Sequence, residues 1–242
     1  MTNKPILLLQ FRTDETLTHE FNMIQKFGHL SDKLQSLNLL DPSTSLPTSQ
    51  KLNDYAALIL GGSSDVDISK WNSTTRKQIL KVTPLLQAAV KADFPTLGIC
   101  FGHQLLAYLM GGEVTADATM AETGTYPVYL TPAGQKSLLF RHIDTPLNVV
   151  LGHKDSVTRI PESATILAYS DACPVQALSY SSHIFSVQFH PELDLSGLLW
   201  RLSLHPEYLT QQGKTLEQLR QEYLPVSQAT RVISNFVNLV AG

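Results

Sequence analysis

The run PTLGICFGHQLLAYLMGG, residues 95–112, contains a strand, a sharp turn and a helix in direct succession. The apolar segment 95–99 predicts a buried strand, and the amphipathic segment 103–110 predicts a helix that ends at a glycine pair. Between them, residues 98–102 fit the pattern small-x-nucleophile-x-Gly, in which a strand turns abruptly into a helix. A strand that feeds directly into a helix is typical of an α/β protein.

The rest of the N-terminal half repeats this alternation of strand and helix. Residues 6–11 and 55–62 are continuous apolar runs, as expected for strands that are buried on both faces. Residues 19–28 and 74–94 have helical spacing, and Pro84 is expected to bend or divide the second helix. The pattern predicts an α/β fold with a mostly parallel central sheet flanked by helices, in a flavodoxin-like three-layer arrangement.

The second half changes character and predicts a small antiparallel β portion followed by a helical C-terminal tail. Closely spaced β runs occupy residues 125–131, 147–157, 164–170, 175–180 and 183–191. The turn-rich segment 38–54 is interpreted as a loop rather than a linker, because the α/β pattern resumes directly after it. We therefore expect a single domain over residues 1–242, with a core of about 4–200 and a helical extension of about 201–242.

The composition of the chain bears on its binding partners and on its location in the cell. The chain has 242 residues, 18 Lys+Arg against 21 Asp+Glu and a formal net charge of -3, so it lacks the basic field of a nucleic-acid-binding protein. No apolar run is long enough to cross a bilayer, and the N-terminus is typical of a first strand rather than a signal peptide. Two cysteines exclude a disulfide scaffold, and a reducing cytoplasm is the expected location.

Cys100 stands at the turn itself, which suggests a chemical role. The elbow would expose the sulfur at the carboxyl end of a parallel strand, where open α/β sheets bind their ligands. The start of the following helix favours a thiolate, and the N–H of Phe101 would point at a developing oxyanion. The alternative is a small buried cysteine in a glycine-rich turn, because free cysteine is among the most buried residue types.

A cysteine nucleophile needs a base and a group that orients the base. His190 ends a β run and precedes a proline, which favours extended backbone. Glu192 then shares a face with His190 and can hold its imidazole. The same tripeptide recurs at 205–207 without a preceding strand, where it is typical of a helix start. The tripeptide alone is therefore weak evidence, and a polar rim residue is the alternative for His190.

The strand end LILGGSSD, residues 58–65, is a third candidate element. The pair Gly61 and Gly62 would let backbone amides approach an anionic ligand closely, and a plain strand-to-loop turn is the alternative. The sequence contains neither a G-x-x-x-x-G-K-[ST] phosphate loop nor an H-E-x-x-H metal motif. We predict no metal and no cofactor.

Four stretches together resemble the class I, triad-type glutamine amidotransferases over roughly residues 4–200. They are LILGGSSD, TLGICFGHQLLAYLMGGEV, GHKDSV and FSVQFHPEL, in this order. The resemblance implies that Cys100 attacks the side-chain amide of glutamine and forms a γ-glutamyl thioester. It implies that His190 acts as base and then acid, releasing ammonia, and that Glu192 orients His190.

The resemblance also assigns groups around the substrate. It implies that the amides of Gly62 and Phe101 form the oxyanion hole. It implies that Gln104 helps to hold the α-amino and carboxylate end of the substrate. Residues near His153 and Asp155 would line the same pocket.

Details at residues 124–134 and 170–180, with the helical tail, are most similar to the stand-alone, GMP-synthase-like branch of the family. The chain has no S-G-G-x-D-S loop and no room for an ATP-pyrophosphatase domain. The implied partners are a small-molecule substrate and an unidentified synthase subunit that accepts ammonia. Cys173, which precedes Pro174 before a β run, is interpreted as structural.

Three functional hypotheses remain open from the sequence. The favoured one is a glutamine amidotransferase or glutaminase that hydrolyses the glutamine side chain. The second is a stand-alone γ-glutamyl hydrolase or peptidase that uses the same chemistry on γ-glutamyl amides. The third, of another class, is a non-enzymatic redox sensor that uses Cys100, and the presence of both His190 and Glu192 speaks against it.

Overall fold

The computed structural model describes residues 4–211 and 213–241. Its strands are β1 (Ile6–Gln10), β2 (Leu34–Asn38), β3 (Ala57–Leu60), β4 (Thr96–Ile99), β5 (Glu113–Ala116), β6 (Glu122–Leu130), β7 (Leu147–His153), β8 (Asp155–Arg159), β9 (Thr165–Tyr169), β10 (Ala177–Ser179) and β11 (Ile184–Val187). Its α-helices are α1 (Thr16–Gly28), α2 (Ser73–Ile79), α3 (Thr83–Lys91), α4 (Phe101–Leu109), α5 (Pro132–Lys136), α6 (Leu195–Leu204), α7 (Glu207–Gln211), α8 (Leu216–Gln221) and α9 (Arg231–Ala241).

Within these residues the main sheet has nine strands in the order β2-β1-β3-β4-β11-β10-β9-β6-β7. Strands β2, β1, β3, β4 and β11 are mutually parallel, whereas β10, β9, β6 and β7 pair in antiparallel fashion. Strands β5 and β8 form a separate antiparallel pair. The predicted α/β fold, with its mostly parallel sheet, antiparallel portion and helical C-terminal region, is confirmed.

The central strands are buried on both faces, which explains their unbroken apolar runs. In β1, Ile6 and Leu8 belong to one hydrophobic core, and Leu7 and Leu9 belong to the other. This alternation is the period of two that a strand requires. Helices α1 and α9 contribute to the first core, and helices α3 and α4 contribute to the second. The sheet is therefore the middle of three layers.

Several element boundaries differ from the expected ones. The helix expected over 74–94 is divided as predicted: a short 3-10 turn separates α2 from α3, and Pro84 lies in the first turn of α3. The β run expected over 147–157 is two strands, β7 and β8, which separate at Lys154 and join different sheets. Strand β2 lies at the edge of the sheet, and its polar sequence LQSLN carries no strand pattern.

The C-terminal helix α9 packs directly on the body of the protein. Val232, Ile233 and Phe236 are fully buried in the same core as Ile24 of α1. None of the helices within residues 4–211 and 213–241 has the length and apolar character required to span a membrane. The division of 1–242 into a core and an extension of one domain stays a prediction.

Three neighbouring parallel strands, β3, β4 and β11, end at the same edge of the sheet. Gly61 and Gly62 follow β3, Cys100 follows β4, and His190 comes three residues after the end of β11. In open α/β sheets this carboxyl edge is where ligands bind. The topology thus brings together three sequence elements that are far apart along the chain.

Candidate active site

The turn between β4 and α4 is a strained nucleophile elbow. Cys100 has φ 51° and ψ -104°, a conformation that L side chains rarely adopt. A Cβ on Gly98 would lie 2.6 Å from the carbonyl oxygen of Gly102, and a Cβ on Gly102 would collide with the backbone of Leu60. The two glycines are therefore required because the helix leaves the strand at such close range.

His190 and Glu192 form the expected pair at the end of the neighbouring strand. The Nδ1–H of His190 donates to Oε1 of Glu192 across 2.9 Å. Glu192 is fully buried and His190 is nearly so. The backbone N–H of His190 donates to the carbonyl of Val150 across 2.8 Å, which anchors the turn to β7. An imidazole held in this way presents its other nitrogen, Nε2, for proton transfer.

Electrostatics favour the charged form of both partners. Burial opposes the imidazolium, but the charges of Glu192 and Cys100, with hydrogen bonds to both, outweigh it and raise the pKa of His190 to about 9. Burial likewise opposes the carboxylate, yet His190 and Arg201 hold the pKa of Glu192 well below its usual range. Near neutral pH His190 is therefore an imidazolium, and it lies between Cys100 and the carboxylate of Glu192.

Arg201 of α6 is a partner of Glu192 that the sequence reasoning missed. Its Nη1 donates across 2.9 Å to Oε1 of Glu192, the same oxygen that accepts from His190. The Arg201 side chain is only 9% exposed. A basic residue three positions after Leu198, on the apolar stripe of α6, is the signal that could have revealed it.

A second buried ion pair, Arg12–Glu20, was also missed. Nη2 of Arg12 lies 3.0 Å from Oε1 of Glu20, and the two side chains are 2% and 0% exposed. Glu20 lies on the buried stripe of α1 with Met23 and Ile24, so a carboxylate on an apolar face was the available signal. Oε1 of Glu20 also accepts the backbone N–H of Gly62 across 2.9 Å. The amide expected to serve as an oxyanion donor is thus engaged within the protein.

Phe101, the other expected oxyanion donor, is the first residue of helix α4. The first N–H groups of a helix have no acceptor four residues earlier within that helix. Its amide is therefore not required by helical hydrogen bonding and lies directly beside the elbow cysteine. Its role as an oxyanion donor stays a prediction.

Gln104, His153 and Asp155 are all buried and bonded to protein groups. The amide nitrogen of Gln104 donates to the backbone carbonyl of Asp155 across 2.8 Å and to Gln188 across 3.1 Å. The carboxylate of Asp155 accepts from the backbone N–H and the hydroxyl of Ser69. These bonds fasten the start of β8 to α4 and to the 3-10 turn at Ile68–Lys70. Direct substrate contact by the three residues stays a prediction.

A cavity of about 50 Å³ adjoins the imidazole of His190. The residues that line it are Arg12, Ser63, Ser64, Val150, Leu151, Gly152, His190, Leu193, Leu198, Arg201, Leu202, His205 and Tyr208. It is bounded on one side by the loop after β3 and on the other by the C-terminal segment that holds α6 and α7. The predicted extension therefore forms part of the wall of the site.

Glu122, His153 and Cys173 form a buried group in which atoms able to bind a metal lie within 4.8 Å of one another. The carboxylate of Glu122 already accepts from Ser170 across 2.9 Å and from Gln176 across 2.6 Å. Nδ1 of His153 is 3.0 Å from the carbonyl of Asp155. Burial raises the pKa of Cys173, which opposes the thiolate that a metal requires. The contacts are those of a hydrogen-bond network below the β7–β8 corner.

The fold and the site define an α/β enzyme with a cysteine nucleophile on an elbow and a Cys-His-Glu triad. A family model described as class-I glutamine amidotransferase matches residues 14–197. The protein belongs to the class-I glutamine amidotransferase family. This membership favours the enzyme hypotheses over the redox-sensing one.

Relatives in this family carry two kinds of name. The glutamine-hydrolyzing GMP synthase subunit from Methanocaldococcus jannaschii is 32% identical over 65% of this chain and 76% of its own length. The corresponding subunit from Sulfurisphaera tokodaii is 34% identical over 69% of this chain and 85% of its own length. Gamma-glutamyl peptidase 5 of Arabidopsis thaliana is 29% identical over 71% of this chain and 67% of its own length. The chain is thus similar to GMP-synthase-type and peptidase-type members alike.

Solved structures share the fold at lower sequence identity. A glutamine amidotransferase from Thermotoga maritima superposes with a TM-score of 0.75 at 19% identity, over 100% of this chain and 97% of that one. A glutamine amidotransferase from Methylobacillus flagellatus gives 0.76 at 23% identity, over 98% and 94%. These matches extend over the C-terminal helices, so the fold similarity reaches beyond the residues of the family model.

Proposed function

We propose that the protein hydrolyses the side-chain amide of glutamine through a γ-glutamyl thioester on Cys100 and releases ammonia. The observation that carries this proposal is the strained elbow, which sets Cys100 beside an imidazole paired with a buried carboxylate. A carboxamide is a poor electrophile, so the reaction needs a strong nucleophile, a proton for the leaving amine and donors for the oxyanion. Cys100, His190 and the amide of Phe101 are candidates for these roles.

The chemistry balances with the protons that the triad holds. The Cys100 thiolate forms a C–S bond to the amide carbon, and the carbonyl π electrons move to oxygen. When the C=O bond re-forms, the C–N bond breaks, and the leaving nitrogen takes the proton of His190 as ammonia departs. A water molecule then gives its proton to His190 and attacks the thioester, which yields glutamate and restores the thiolate.

The two cysteines provide a matched test. In an ammonia-release assay with glutamine, we expect Cys100→Ala to abolish activity and Cys173→Ala, at the other buried cysteine, to keep it. An electrophilic glutamine analogue should label the wild-type protein and Cys173→Ala, but not Cys100→Ala. Full glutaminase activity in Cys100→Ala would overturn the proposal.

We further propose that the ammonia passes to a separate synthase subunit in the cytoplasm. Similarity to proteins named as glutamine-hydrolyzing subunits of GMP synthase supports a divided enzyme, in which glutamine hydrolysis and ammonia use lie on different chains. Addition of the synthase subunit of a GMP synthase should then raise kcat for glutamine. An unchanged kcat at saturating synthase would argue against this acceptor.

A γ-glutamyl peptidase is the second candidate, and similarity to gamma-glutamyl peptidase 5 supports it. The cavity beside His190 opens between the loop after β3 and α6, and the chemistry of the triad is the same for glutamine and for a γ-glutamyl peptide. Values of kcat/KM for glutamine and for γ-glutamylalanine decide between the two, and a preference for the dipeptide would establish the peptidase.

A further inference from the structure

The amides of the glycine pair after β3 are both used inside the protein. The N–H of Gly61 donates to the carbonyl of Leu9 across 2.9 Å, which continues the pairing of β3 with β1. The N–H of Gly62 donates to Oε1 of Glu20 across 2.9 Å. A tetrahedral intermediate on Cys100 carries a full negative charge on oxygen and needs more than one donor. With Gly62 engaged, the amide of Phe101 is the remaining donor of the expected pair.

Glu20 is held too firmly for the Gly62 amide to be released at little cost. Its Oε1 accepts from Nε of Arg12 across 3.1 Å, and its Oε2 accepts from the side-chain amide of Gln10 across 3.1 Å. The carboxylate is fully buried. Withdrawal from Gly62 would require a buried ion pair to rearrange, which is unfavourable in a low-dielectric interior. The engaged state is therefore a stable feature of the site.

The same ion pair places a guanidinium over the reacting centre. A Cβ built on Gly62 would lie 2.8 Å from Nη2 of Arg12, 3.2 Å from Cε1 of His190 and 3.6 Å from Cβ of Cys100. The guanidinium, the imidazole and the nucleophile thus converge on one point above Gly62. Arg12 also lines the cavity beside His190. A side chain at position 62 would fill this point, so the glycine keeps it open.

We propose that Arg12 is a catalytic residue whose Nη2 donates to the oxyanion of the tetrahedral intermediate, in the place where a backbone amide of Gly62 was expected. The inference rests on the proposed amide hydrolysis, because that reaction creates the oxyanion. As Cys100 Sγ bonds to the amide carbon, the carbonyl electron pair moves to oxygen, and this oxygen accepts hydrogen bonds from Arg12 and from the N–H of Phe101. The pair returns to re-form C=O as the C–N bond breaks, and Arg12 keeps its protons throughout.

The charges around Arg12 suit this role. Burial opposes the guanidinium charge, but the carboxylate of Glu20 outweighs it, and the pKa of Arg12 lies above its usual value. Glu20 therefore balances the charge of Arg12 in the resting site and fixes the orientation of the Arg12 guanidinium. A charged donor that needs no reorganisation is the most effective kind of oxyanion stabiliser. In this arrangement Glu20 is a positioning residue that acts through Arg12.

The test separates oxyanion stabilisation from activation of the thiol. Iodoacetamide reacts with a thiolate by displacement of iodide at its CH₂ carbon, and this reaction forms no oxyanion. Glutamine hydrolysis forms an oxyanion in both of its steps, formation of the thioester and its hydrolysis. For Arg12→Met we expect kcat for glutamine to fall by about 100- to 1,000-fold. We expect the rate of Cys100 alkylation to fall far less than kcat, because alkylation depends on Arg12 only through its charge and not through a hydrogen bond to an oxyanion. Arg12→Lys should regain part of kcat.

The opposite results would overturn the inference. An unchanged kcat in Arg12→Met would show that another donor serves the oxyanion, and an equal fall in kcat and in alkylation would assign Arg12 to the thiolate instead. If Arg12→Met does not fold, Arg12→Lys and Glu20→Gln provide the same comparison of kcat with alkylation. The proposed function fails separately, because wild-type protein that is alkylated at Cys100 but releases no ammonia from glutamine would refute it whatever Arg12 does.

Discussion

The chain contains the tripeptide His-Pro-Glu twice, at 190–192 and at 205–207, and the two copies lie on the same cavity. Each makes the same local contact: Nδ1 of His190 is 2.9 Å from Glu192, and Nδ1 of His205 is 3.2 Å from Glu207. The tripeptide therefore produces a histidine–glutamate contact in both settings. Sequence and local geometry alone do not distinguish a catalytic pair from a structural one.

The surroundings make the difference between the two copies. Glu192 is fully buried, accepts a hydrogen bond from Arg201 and lies on a turn that is bonded to β7. The Glu207 side chain, by contrast, is 48% exposed at the start of α7. Nε2 of His205 lies 2.8 Å from a carboxylate oxygen of Asp14, so a carboxylate takes the place that the nucleophile has in the first copy. Burial strengthens the charge interactions of the first pair, and solvent screens those of the second.

The largest expected effect comes from the histidines themselves. His190→Asn should lower kcat for glutamine by about 1,000-fold or more, because both proton transfers depend on this imidazole. His205→Asn is the matched control and should stay within about fivefold of wild type, because its imidazole contacts Asp14 and Glu207 rather than the nucleophile. A steady-state ammonia assay measures both. Equal losses in the two variants would mean that the surroundings do not separate the copies.

Replacement of the glutamates should also affect kcat in the first copy and not in the second, but less strongly than replacement of the histidines. Glu192→Gln keeps the shape but removes the charge that supports the His190 imidazolium, so we expect kcat to fall by about 100-fold. The loss of this charge also lowers the pKa of His190 from about 9, which moves the alkaline limit of the kcat profile to lower pH. Glu207→Gln should change neither value. NMR titration of the histidines would detect a mistaken assignment, because an unmoved His190 titration in Glu192→Gln contradicts it.

The fold and the triad were predictable because they depend on patterns within short segments. A buried strand that runs into glycines around Cys100, and a strand that ends in His-Pro-Glu, are local signals with a physical reason. The alternation of strand and helix set the order of the layers in the same way. The exposed edge strand β2 was missed because its polar residues bury little and so carry no pattern.

The partners of the triad were not predictable, because each depends on a contact between distant segments. Arg201 reaches Glu192 from α6, and Arg12 meets Glu20 and Gly62 only once β1, α1 and β3 have assembled. Each was visible in the sequence only as a charge on an apolar face. For the same reason the sequence did not indicate that the N–H of Gly62 would donate a hydrogen bond to the carboxylate of Glu20.

The pH dependence of stability should separate the two copies as well. A histidine whose pKa is raised on folding contributes stability that is complete below its unfolded value of about 6.5 and is lost as the pH rises through its folded value. Because the pKa of His190 is about 9, the free energy of unfolding of the wild-type protein should decrease by on the order of 1–3 kcal/mol as the pH rises from 6.5 to about 9.5. Urea unfolding at the two pH values should show a flatter response in His190→Asn, and His205→Asn should keep the wild-type slope. Identical slopes in all three proteins would contradict the assignment.

The smallest expected effect concerns Arg201, which contacts Glu192 of the first copy and has no counterpart among the contacts described for Glu207 of the second. Arg201→Met leaves His190 as the charged hydrogen-bond partner of Glu192, and we expect kcat to fall about tenfold, with Arg201→Lys intermediate. Loss of a nearby positive charge should raise the pKa of His190 further, which extends the alkaline limb of the kcat profile. Lys26→Met removes an exposed ion pair with Asp194, just before α6, and should alter neither quantity. If Arg201→Met lowers the melting temperature but leaves the pH profile in place, Arg201 only anchors α6, and the first copy depends on burial and Cys100 alone.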